Sequence, residues 1–569
     1  AVVGLAGCGG EAGNDPGGEE AGAAARAFAE GVAPALESGL GEVEAPEGRA
    51  GAVWETVVAL YGERGHRPVW LGPDGPTRRG KEVAIELLGA AAHGLDPTDY
   101  AGERLAMAVA ELTRREGRGA EEAYAARAAE LDPALTHAFL LLAEHLGRGR
   151  LRPGEAGIHW ESEPRGIDLA KVFRAAVEEG PAVALAAVRP PHDQYARLEQ
   201  ALGHYRKVMA AGGWPAVPGG DTLEPGDEAG QRVVALRRRL AAEGYATGGP
   251  ADDALSPVYD ETLAEAVREY QRRRGLADDG VVGGKTLDEL NVPAVERVRQ
   301  IEANLERWRW MPADLGDRYV LVNVPRFELH VVDGGREVMS MRVVVGEELN
   351  ATPMFSDRME YVVFNPYWNI PHTIAGEEVI PALYRDRSYL ARNDMEVVRG
   401  WEDGQVLGSY VSPAVAAQAG EASSGIRIRQ RPGPENPLGQ IKFLFPNEHA
   451  IYLHDTSAEH LFDETVRLFS HGCIRVEKPV ELASWALGEP PERIRAKMRS
   501  SASDEWQSLP REIPVHILYY TVAVDDDGKV LFFDDFYGID EQVHGALDAE
   551  GPAVAPPAAN QRVKSSASS

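Results

Sequence analysis

One cysteine in the body of this 569-residue chain stands among residues that suit nucleophilic catalysis. The segment reads Ser470-His471-Gly472-Cys473, and a second histidine, His454, precedes Ser470 by sixteen residues. A thiol attacks a carbonyl as the thiolate, so it needs a neighbouring base, and histidine has a suitable pKa near neutral pH. These residues predict a thiol–imidazole pair with Cys473 as the nucleophile. An inert buried thiol is the alternative.

Both histidines are candidates for the base. An imidazole contacts a thiol more easily from a separate strand than from two residues earlier in a tight turn, so we predict His454 as the general base and acid. Because Gly472 lacks a Cβ, the N–H groups of Gly472 and Cys473 are predicted to face a tetrahedral oxyanion. Losing one such donor typically costs about 3 kcal/mol. Ser470 and His471 are predicted to fix the loop or donate hydrogen bonds.

The strands that must position these residues begin near residue 318, where β-branched residues dominate. Asp333-Gly334-Gly335 predicts a hairpin turn, and residues 385–438, rich in Arg, Gly and Pro, predict an inserted cap over the site. A helix is predicted over residues 480–487. The predicted strands cover residues 319–324, 342–345, 361–370, 441–445, 451–454, 514–524 and 530–533.

The first half of the chain is predicted to be helical. Leu135, Phe139, Leu142 and Leu146 recur at the spacing of one apolar helix face. A Gly- and Pro-rich linker over residues 211–227 then separates this region from three short amphipathic helices. No cluster in the first region demands chemistry, so we interpret it as a scaffold.

The composition of the chain disfavours some classes of binding partner. The net charge of −30 disfavours nucleic acid and anionic lipid surfaces as partners. The apolar start that ends in Leu5-Ala6-Gly7-Cys8 resembles a bacterial lipoprotein signal, with Cys8 as the lipidated residue; a truncated secretory signal is the alternative. Residues 1–50 are interpreted as this signal and a flexible tether, and residues 540–569 as a disordered tail.

His454 together with the Ser470–Cys473 turn resembles the signature of the L,D-transpeptidases with a YkuD-type catalytic domain. Residues 319–325, 352–354, 365–371 and 442–446 are similar to the long, YcbB-type members. The three short helices resemble a small peptidoglycan-binding module. The residues that carry this second resemblance are Gln271, Asp279, Gly280, Gly283 and Thr286.

The resemblance implies a multidomain α+β fold whose catalytic domain is mainly β. The domains expected from it are a helical scaffold at 51–210, a peptidoglycan-binding domain at 225–292, and a catalytic domain at 316–538 with the cap inserted.

The resemblance also implies a mechanism. Cys473 would attack the carbonyl at the L-centre of diaminopimelate in a tetrapeptide stem, release D-alanine and form a thioester, which a second stem's amine would resolve. The backbone carbonyl of Asp455 would orient His454. Carbapenem-type β-lactams are expected covalent inhibitors, and no metal or organic cofactor is implied.

Three further residues have open roles. Arg475 is expected to order the loop or bind a substrate carboxylate, with a structural salt bridge as the alternative. Tyr367 and Trp368 are candidates to line the substrate groove, although core packing is the favoured interpretation.

The expected location is the periplasm or cell envelope, with any membrane contact made through lipid at Cys8. The expected partners are peptidoglycan stem peptides and glycan. Hydrolysis by an L,D-carboxypeptidase or cysteine peptidase, attachment of an envelope protein, and a peptidoglycan-anchoring lipoprotein without activity remain as alternatives. The acceptor amine, the oligomeric state and what the cap recognises are left open.

Overall fold

The computed structural model describes residues 16–43, 45–113, 121–161, 165–247, 256–400, 404–500 and 503–549. Cys8 and residues 550–569 lie outside these ranges. The predicted multidomain α+β fold is confirmed: helices occupy the first half, and a large sheet follows. Among the described residues, no helix combines the length and apolar character needed to cross a membrane.

The N-terminal region is helical, and all of its helices except the last, which packs in a separate apolar cluster, surround one apolar core. Phe139, Leu142 and Leu146, predicted to share a face, are fully buried in that core. The helices span Pro16–Glu42, Gly48–Glu63, Arg78–Gly89, Gly102–Thr113, Glu121–Arg148, Leu169–Glu178, Pro181–Val188 and Asp193–Ala210.

The first of these helices differs from the tether predicted for residues 1–50. Val32, Leu36 and Leu40 recur at four-residue spacing and are buried against the bundle. The described part of this segment is therefore a structural element of the bundle, because its Ala- and Gly-rich sequence still carries one apolar stripe.

The three helices of the small module span Gln231–Ala242, Glu261–Arg273 and Gly284–Leu290. Gln271 ties the turn before the third helix: its amide donates to Asp279 Oδ1 at 2.9 Å, and its carbonyl accepts from the Gly280 N–H at 2.9 Å. Gly280 adopts φ 74°, a conformation that glycine tolerates best. The turn residues of the module are thus structural.

A long sheet forms the catalytic region and closes on itself, because strand Ile441–Leu444 pairs with Met354–Phe364 as well as with Leu453–His454. Asp333 pairs with Arg336 across the predicted hairpin. The strands in sheet order are Ile441–Leu444, Leu453–His454, Ile474–Val476, Arg336–Gly346, Glu328–Asp333, Arg318–Asn323, Glu505–Leu518, Met354–Phe364 and Trp160–Glu161. The last of these comes from the N-terminal half of the chain and pairs in parallel with Met354 and Phe355.

Three further strands and two helices complete this region. Leu468–Ser470 pairs with Arg336–Gly346, and Val522–Val524 forms a hairpin with Val530–Phe532. The helices span Pro479–Leu487 and Pro491–Met498, the first matching the helix predicted over residues 480–487.

The inserted cap is larger than the predicted 385–438. Strand Trp368–Asn369 pairs with Ile426–Gln430, so the cap begins near residue 368 and ends near residue 430. Ile370, Ile374 and Leu383 belong to its own apolar core. The start of the cap was predicted too late in the sequence because the first cap strand directly continues the aromatic run after Phe364. The other cap elements span Met395–Arg399, Gln405–Gly408, His372–Ile374, Ala375–Val379, Ile380–Arg385, Tyr389–Arg392 and Pro413–Ala416.

The C-terminal segment also differs from the disordered tail predicted from residue 540. Residues Ile539–Ala549 form a helix. The Asp540 carboxylate accepts from Thr521 Oγ1 at 2.6 Å and pairs with the buried Arg307. Arg307 lies on helix Ala294–Trp310, which joins the small module to the sheet. A buried ion pair thus fixes this end of the chain.

Candidate active site

The nucleophile turn, residues Ser470–Cys473, joins strands Leu468–Ser470 and Ile474–Val476. The Ser470 hydroxyl donates to the Cys473 carbonyl at 2.6 Å and accepts from the Gly472 N–H at 3.2 Å. Thr352 Oγ1 donates to the Gly472 carbonyl at 2.8 Å. Ser470 therefore fixes the turn, as predicted. The Gly472 N–H, predicted to face an oxyanion, is used inside the turn instead.

Gly472 has a conformational role. Its φ is 105°, and a Cβ there would lie 3.2 Å from Ile451 Cδ1. Within the described part of the chain, the Cys473 N–H forms no hydrogen bond. Of the two N–H groups predicted to face an oxyanion, the one that remains free is therefore that of Cys473.

His454 lies at the end of strand Leu453–His454, in parallel register with the strand that follows the nucleophile: Leu453 pairs with Ile474 and His454 with Arg475. The imidazole Nδ1 is 2.5 Å from the Asp455 carbonyl oxygen. A carbonyl can only accept, so Nδ1 carries the proton and Nε2 is left with a lone pair to act as a base. The predicted contact with the Asp455 backbone is thus present.

The Asp455 carboxylate plays no part in this contact. Its Oδ2 accepts from the Gln440 N–H at 2.8 Å and its Oδ1 from the Thr456 N–H at 2.8 Å. It therefore stabilises the backbone on either side of the strand end, consistent with an orienting role for the main-chain carbonyl alone.

The thiol and the imidazole share one face of the sheet. Leu453 and Ile474 are fully buried on the opposite face, and alternate residues of a strand point to opposite sides. The ring of Tyr452 lies near the imidazole, with its centroid 5.7 Å from that of His454, and a hydrogen bond from its phenol lowers the pKa of the Cys473 thiol. No direct hydrogen bond joins sulfur and imidazole; the sulfur is 3.8 Å from the Ala450 carbonyl oxygen.

Burial sets the resting protonation of the pair. It lowers the pKa of His454 to about 3, with the charges of Arg475 and Lys442 acting in the same direction. Burial raises the pKa of the Cys473 thiol, although hydrogen bonds from Tyr452 and the charges of Lys442 and Arg475 oppose it. Both groups are therefore neutral at pH 7: the thiol keeps its proton, and the imidazole on the same face of the sheet is free to accept one.

Comparison with known proteins identifies three domains in this chain. Residues 317–515 match the family model for the L,D-transpeptidase catalytic domain, YkuD. The catalytic region is an L,D-transpeptidase domain of the YkuD family. Residues 55–202 match a scaffold domain, and residues 229–290 match a peptidoglycan-binding domain. These matches confirm the resemblance inferred from the sequence.

A Haemophilus influenzae protein named "Putative L,D-transpeptidase" is 32% identical to this chain over 249 residues, which are 43% of this chain and 49% of that protein. The chain thus spans about half the length of this curated relative. A solved L,D-transpeptidase from Xylanimonas cellulosilytica is 18% identical, with a TM-score of 0.19, covering 53% of this chain and 100% of its own. A fused amidase, peptidase and peptidoglycan-binding protein from Clostridium acetobutylicum is 12% identical, with a TM-score of 0.12, covering 52% and 99%. Both TM-scores are too low to support any conclusion about a shared fold.

The remaining predicted residues of the transpeptidase domain are spread around the nucleophile. Arg475 donates through Nη2 to the Phe469 carbonyl at 3.3 Å, so it orders the loop; it forms no ion pair with any described residue. No described residue supplies the structural salt bridge that was the alternative for Arg475. His471 is exposed, and its Nε2 lies 3.2 Å from Glu378 Oε1 on the cap.

Tyr367 and Trp368 lie at the start of the cap. The Arg429 guanidinium stacks 4.0 Å from the Tyr367 ring centroid, and Trp368 packs against the cap core. Their contacts favour the packing interpretation over a groove lining.

Two residues of the site had no predicted role. Tyr452 stands two positions before His454, and strand alternation alone places it on the same face. Lys442 alternates with the buried Ile441 and Phe443 and pairs in register with His454. The presence of a lysine inside an otherwise apolar strand was the sequence signal that could have identified Lys442.

Proposed function

We propose that this chain is an L,D-transpeptidase that cross-links peptidoglycan stems between diaminopimelate residues through a thioester on Cys473. The observation that carries the proposal is the placement of the Cys473 thiol and the His454 imidazole on one face of adjacent strands. The domain match and the peptidoglycan-binding module support it.

The first half-reaction is acyl transfer to sulfur. His454 Nε2 takes the thiol proton as the sulfur attacks the L-centre carbonyl, and the Cys473 N–H donates to the oxyanion that forms. The carbon–nitrogen bond then breaks, and the proton on His454 passes to the departing D-alanine amine. The thioester remains on Cys473, with neutral His454 restored.

The second half-reaction reverses these roles. The side-chain amine of a second stem attacks the thioester, its proton passes to His454, and the carbon–sulfur bond breaks. The thiolate regains that proton as the new amide forms. Water in place of the amine gives the L,D-carboxypeptidase alternative, which uses the same residues.

Purified protein mixed with disaccharide tetrapeptides, followed by mass analysis, separates the outcomes. Cross-linked dimers with loss of D-alanine support transpeptidation, whereas trimmed monomers alone would replace this proposal with hydrolysis. The Cys473→Ala variant is the control and should yield neither product.

Two extensions follow from the same chemistry. A carbapenem carries a strained amide that the thiol can open, so we expect one covalent adduct on the wild type and none on Cys473→Ala. With a peptidoglycan substrate we expect the protein in the cell envelope, held there through lipid on Cys8.

A further inference from the structure

Lys442 lies in the same row of the sheet as the proposed base. Its neighbours Ile441 and Phe443 are fully buried on the other face, and Lys442 pairs in antiparallel register with His454. Its ammonium lies 3.7 Å from the centroid of the Tyr452 ring, whose phenol reaches the Cys473 sulfur. The lysine thus faces the nucleophile from the strand beyond the histidine.

This cation has no anionic partner within the described ranges of the chain: no carboxylate lies at ion-pair distance from it. The acidic groups that act on it from further away are the Cys473 thiol and then Asp504, which accepts from Trp506 Nε1 at 3.2 Å and from the Tyr367 N–H at 3.4 Å. Burial lowers the pKa of Lys442, which is the expected result of desolvating an ammonium without a counter-ion.

Arg475, on the other side of His454, is likewise a cation without an anionic partner among the described residues. It pairs in register with His454, its Nη2 contacts only a main-chain carbonyl, and its Nε is buried without an acceptor among the described residues. Lys442, His454 and Arg475 therefore form one row across three strands, which we call the cationic row. Neighbouring strands lie about 4.8 Å apart, so the two cations are on the order of 10 Å apart at the backbone.

Two unpaired, partly buried cations beside a nucleophile are costly unless a ligand supplies the counter-charge. Two carboxylates of the proposed donor stem lie close to the scissile bond, one on the departing D-alanine and one on the D-centre of diaminopimelate. They stand on opposite sides of the scissile carbonyl, as Lys442 and Arg475 stand on opposite sides of the imidazole.

We propose that Lys442 and Arg475 bind the diaminopimelate and D-alanine carboxylates of the acyl donor, so that Lys442 is a specificity-determining residue selecting a stem in which both are free. This inference rests on the proposed function, since it names the charge state of the donor for the same thioester-forming step. It predicts that masking either carboxylate as an amide slows acylation of Cys473.

The test uses three synthetic tetrapeptides: one with both carboxylates free, one amidated at diaminopimelate, and one amidated at D-alanine. The rate of thioester formation on the full chain is followed by intact mass spectrometry. A charge-assisted hydrogen bond predicts that the wild type prefers the free donor by about ten- to a hundredfold. Lys442→Gln should lose that preference against one of the two amides, while Lys442→Arg keeps it.

Lys478→Gln is the matched control: this lysine lies in the same domain but donates to the Ser340 carbonyl, away from the nucleophile. Lys478→Gln should prefer the free donor over the amidated donors to the same extent as the wild type. If the wild type forms a thioester but Lys442→Gln slows all three donors equally, the carboxylate role is wrong and the proposed function stands. A wild type that no donor acylates would overturn both proposals.

Discussion

His454 and Arg475 lie directly opposite each other on adjacent parallel strands, where the register pairs them. The guanidinium therefore acts on the imidazole as a like charge and opposes its protonation, in addition to the effect of burial. In many nucleophile–base pairs a carboxylate stabilises the imidazolium; here a main-chain carbonyl holds the ring while the side-chain charges that act on it are positive. The arrangement favours a base that is neutral before each proton transfer.

The low pKa of His454 predicts a pH-dependent stability. In the unfolded chain this histidine takes up a proton near pH 6.5, whereas in the folded chain it does so near pH 3. The unfolded state binds more protons between these values, so folding stability falls as the pH drops through that window, by up to about 1.4 kcal/mol per unit. When urea unfolding is measured at pH 7 and at pH 5, the free energy of unfolding should fall between these two pH values by about 2 kcal/mol less in His454→Asn than in the wild type.

The exposed His460 serves as the control for this measurement, because His460→Asn should retain the wild-type difference between the two pH values. An equal pH dependence in the wild type and His454→Asn would show that the buried imidazole is not the titrating group.

The phenol of Tyr452 predicts the reactivity of the thiol. Its hydrogen bond lowers the pKa of Cys473 against the raising effect of burial. Removing it in Tyr452→Phe should move the pH midpoint of Cys473 alkylation by iodoacetamide upward by about one unit, since a hydrogen bond to a charged group contributes about 1.5–3 kcal/mol. Tyr384→Phe, at an exposed cap position, should leave the midpoint where it is; a midpoint unmoved by Tyr452→Phe would contradict the assignment.

The glycine of the nucleophile turn predicts a conformational cost. An alanine at position 472 must adopt φ 105° and would press its Cβ to 3.2 Å from Ile451 Cδ1. We expect Gly472→Ala to destabilise the protein by about 1–3 kcal/mol and to abolish carbapenem acylation, measured by thermal unfolding and intact mass.

Gly203→Ala provides the contrast, because Gly203 lies within a helix and no atom outside that helix comes within 4 Å of the position that an added methyl group would take. Alanine there should be neutral or stabilising by up to about 1 kcal/mol. If Gly472→Ala were as stable and as reactive as the wild type, the claim that position 472 requires glycine for its backbone conformation would be wrong.

The C-terminal helix predicts a large effect of one buried charge. Asp540→Asn leaves the fully buried Arg307 without its counter-ion, which should cost about 3–5 kcal/mol in urea unfolding. Asp548→Asn, on the same helix as Asp540, breaks an exposed pair with Arg299 and should cost less than about 1 kcal/mol. Equal losses would show that burial of the pair does not matter.

Much of this architecture could be predicted because its local patterns agree with its tertiary structure. The strand-like runs at 441–445 and 451–454 and the turn at Asp333–Gly335 correspond to strands and a hairpin of the sheet that carries the site, whereas the strand Ile474–Val476 after the nucleophile was not predicted. The contact of His454 with the Asp455 carbonyl, which the family resemblance implied, is also present.

The sequence could not predict features that depend on long-range packing. Asp540 finds Arg307 more than two hundred residues earlier, so nothing near residue 540 indicated an ordered helix. The use of the Gly472 N–H by Ser470 depends on the detailed shape of the turn. The position of Lys442 beside His454 depends on the register between two strands, which a single sequence does not reveal.

The strand Trp160–Glu161 has a consequence for dissecting this protein. It covers the end of Met354–Phe364 where Met354 and Phe355 would otherwise present unpaired main-chain groups. A shortened protein that began at residue 316 would expose that edge to other copies of itself, and open edges invite aggregation. The enzymatic half is therefore not self-sufficient, and its chemistry is best assayed with the N-terminal bundle attached.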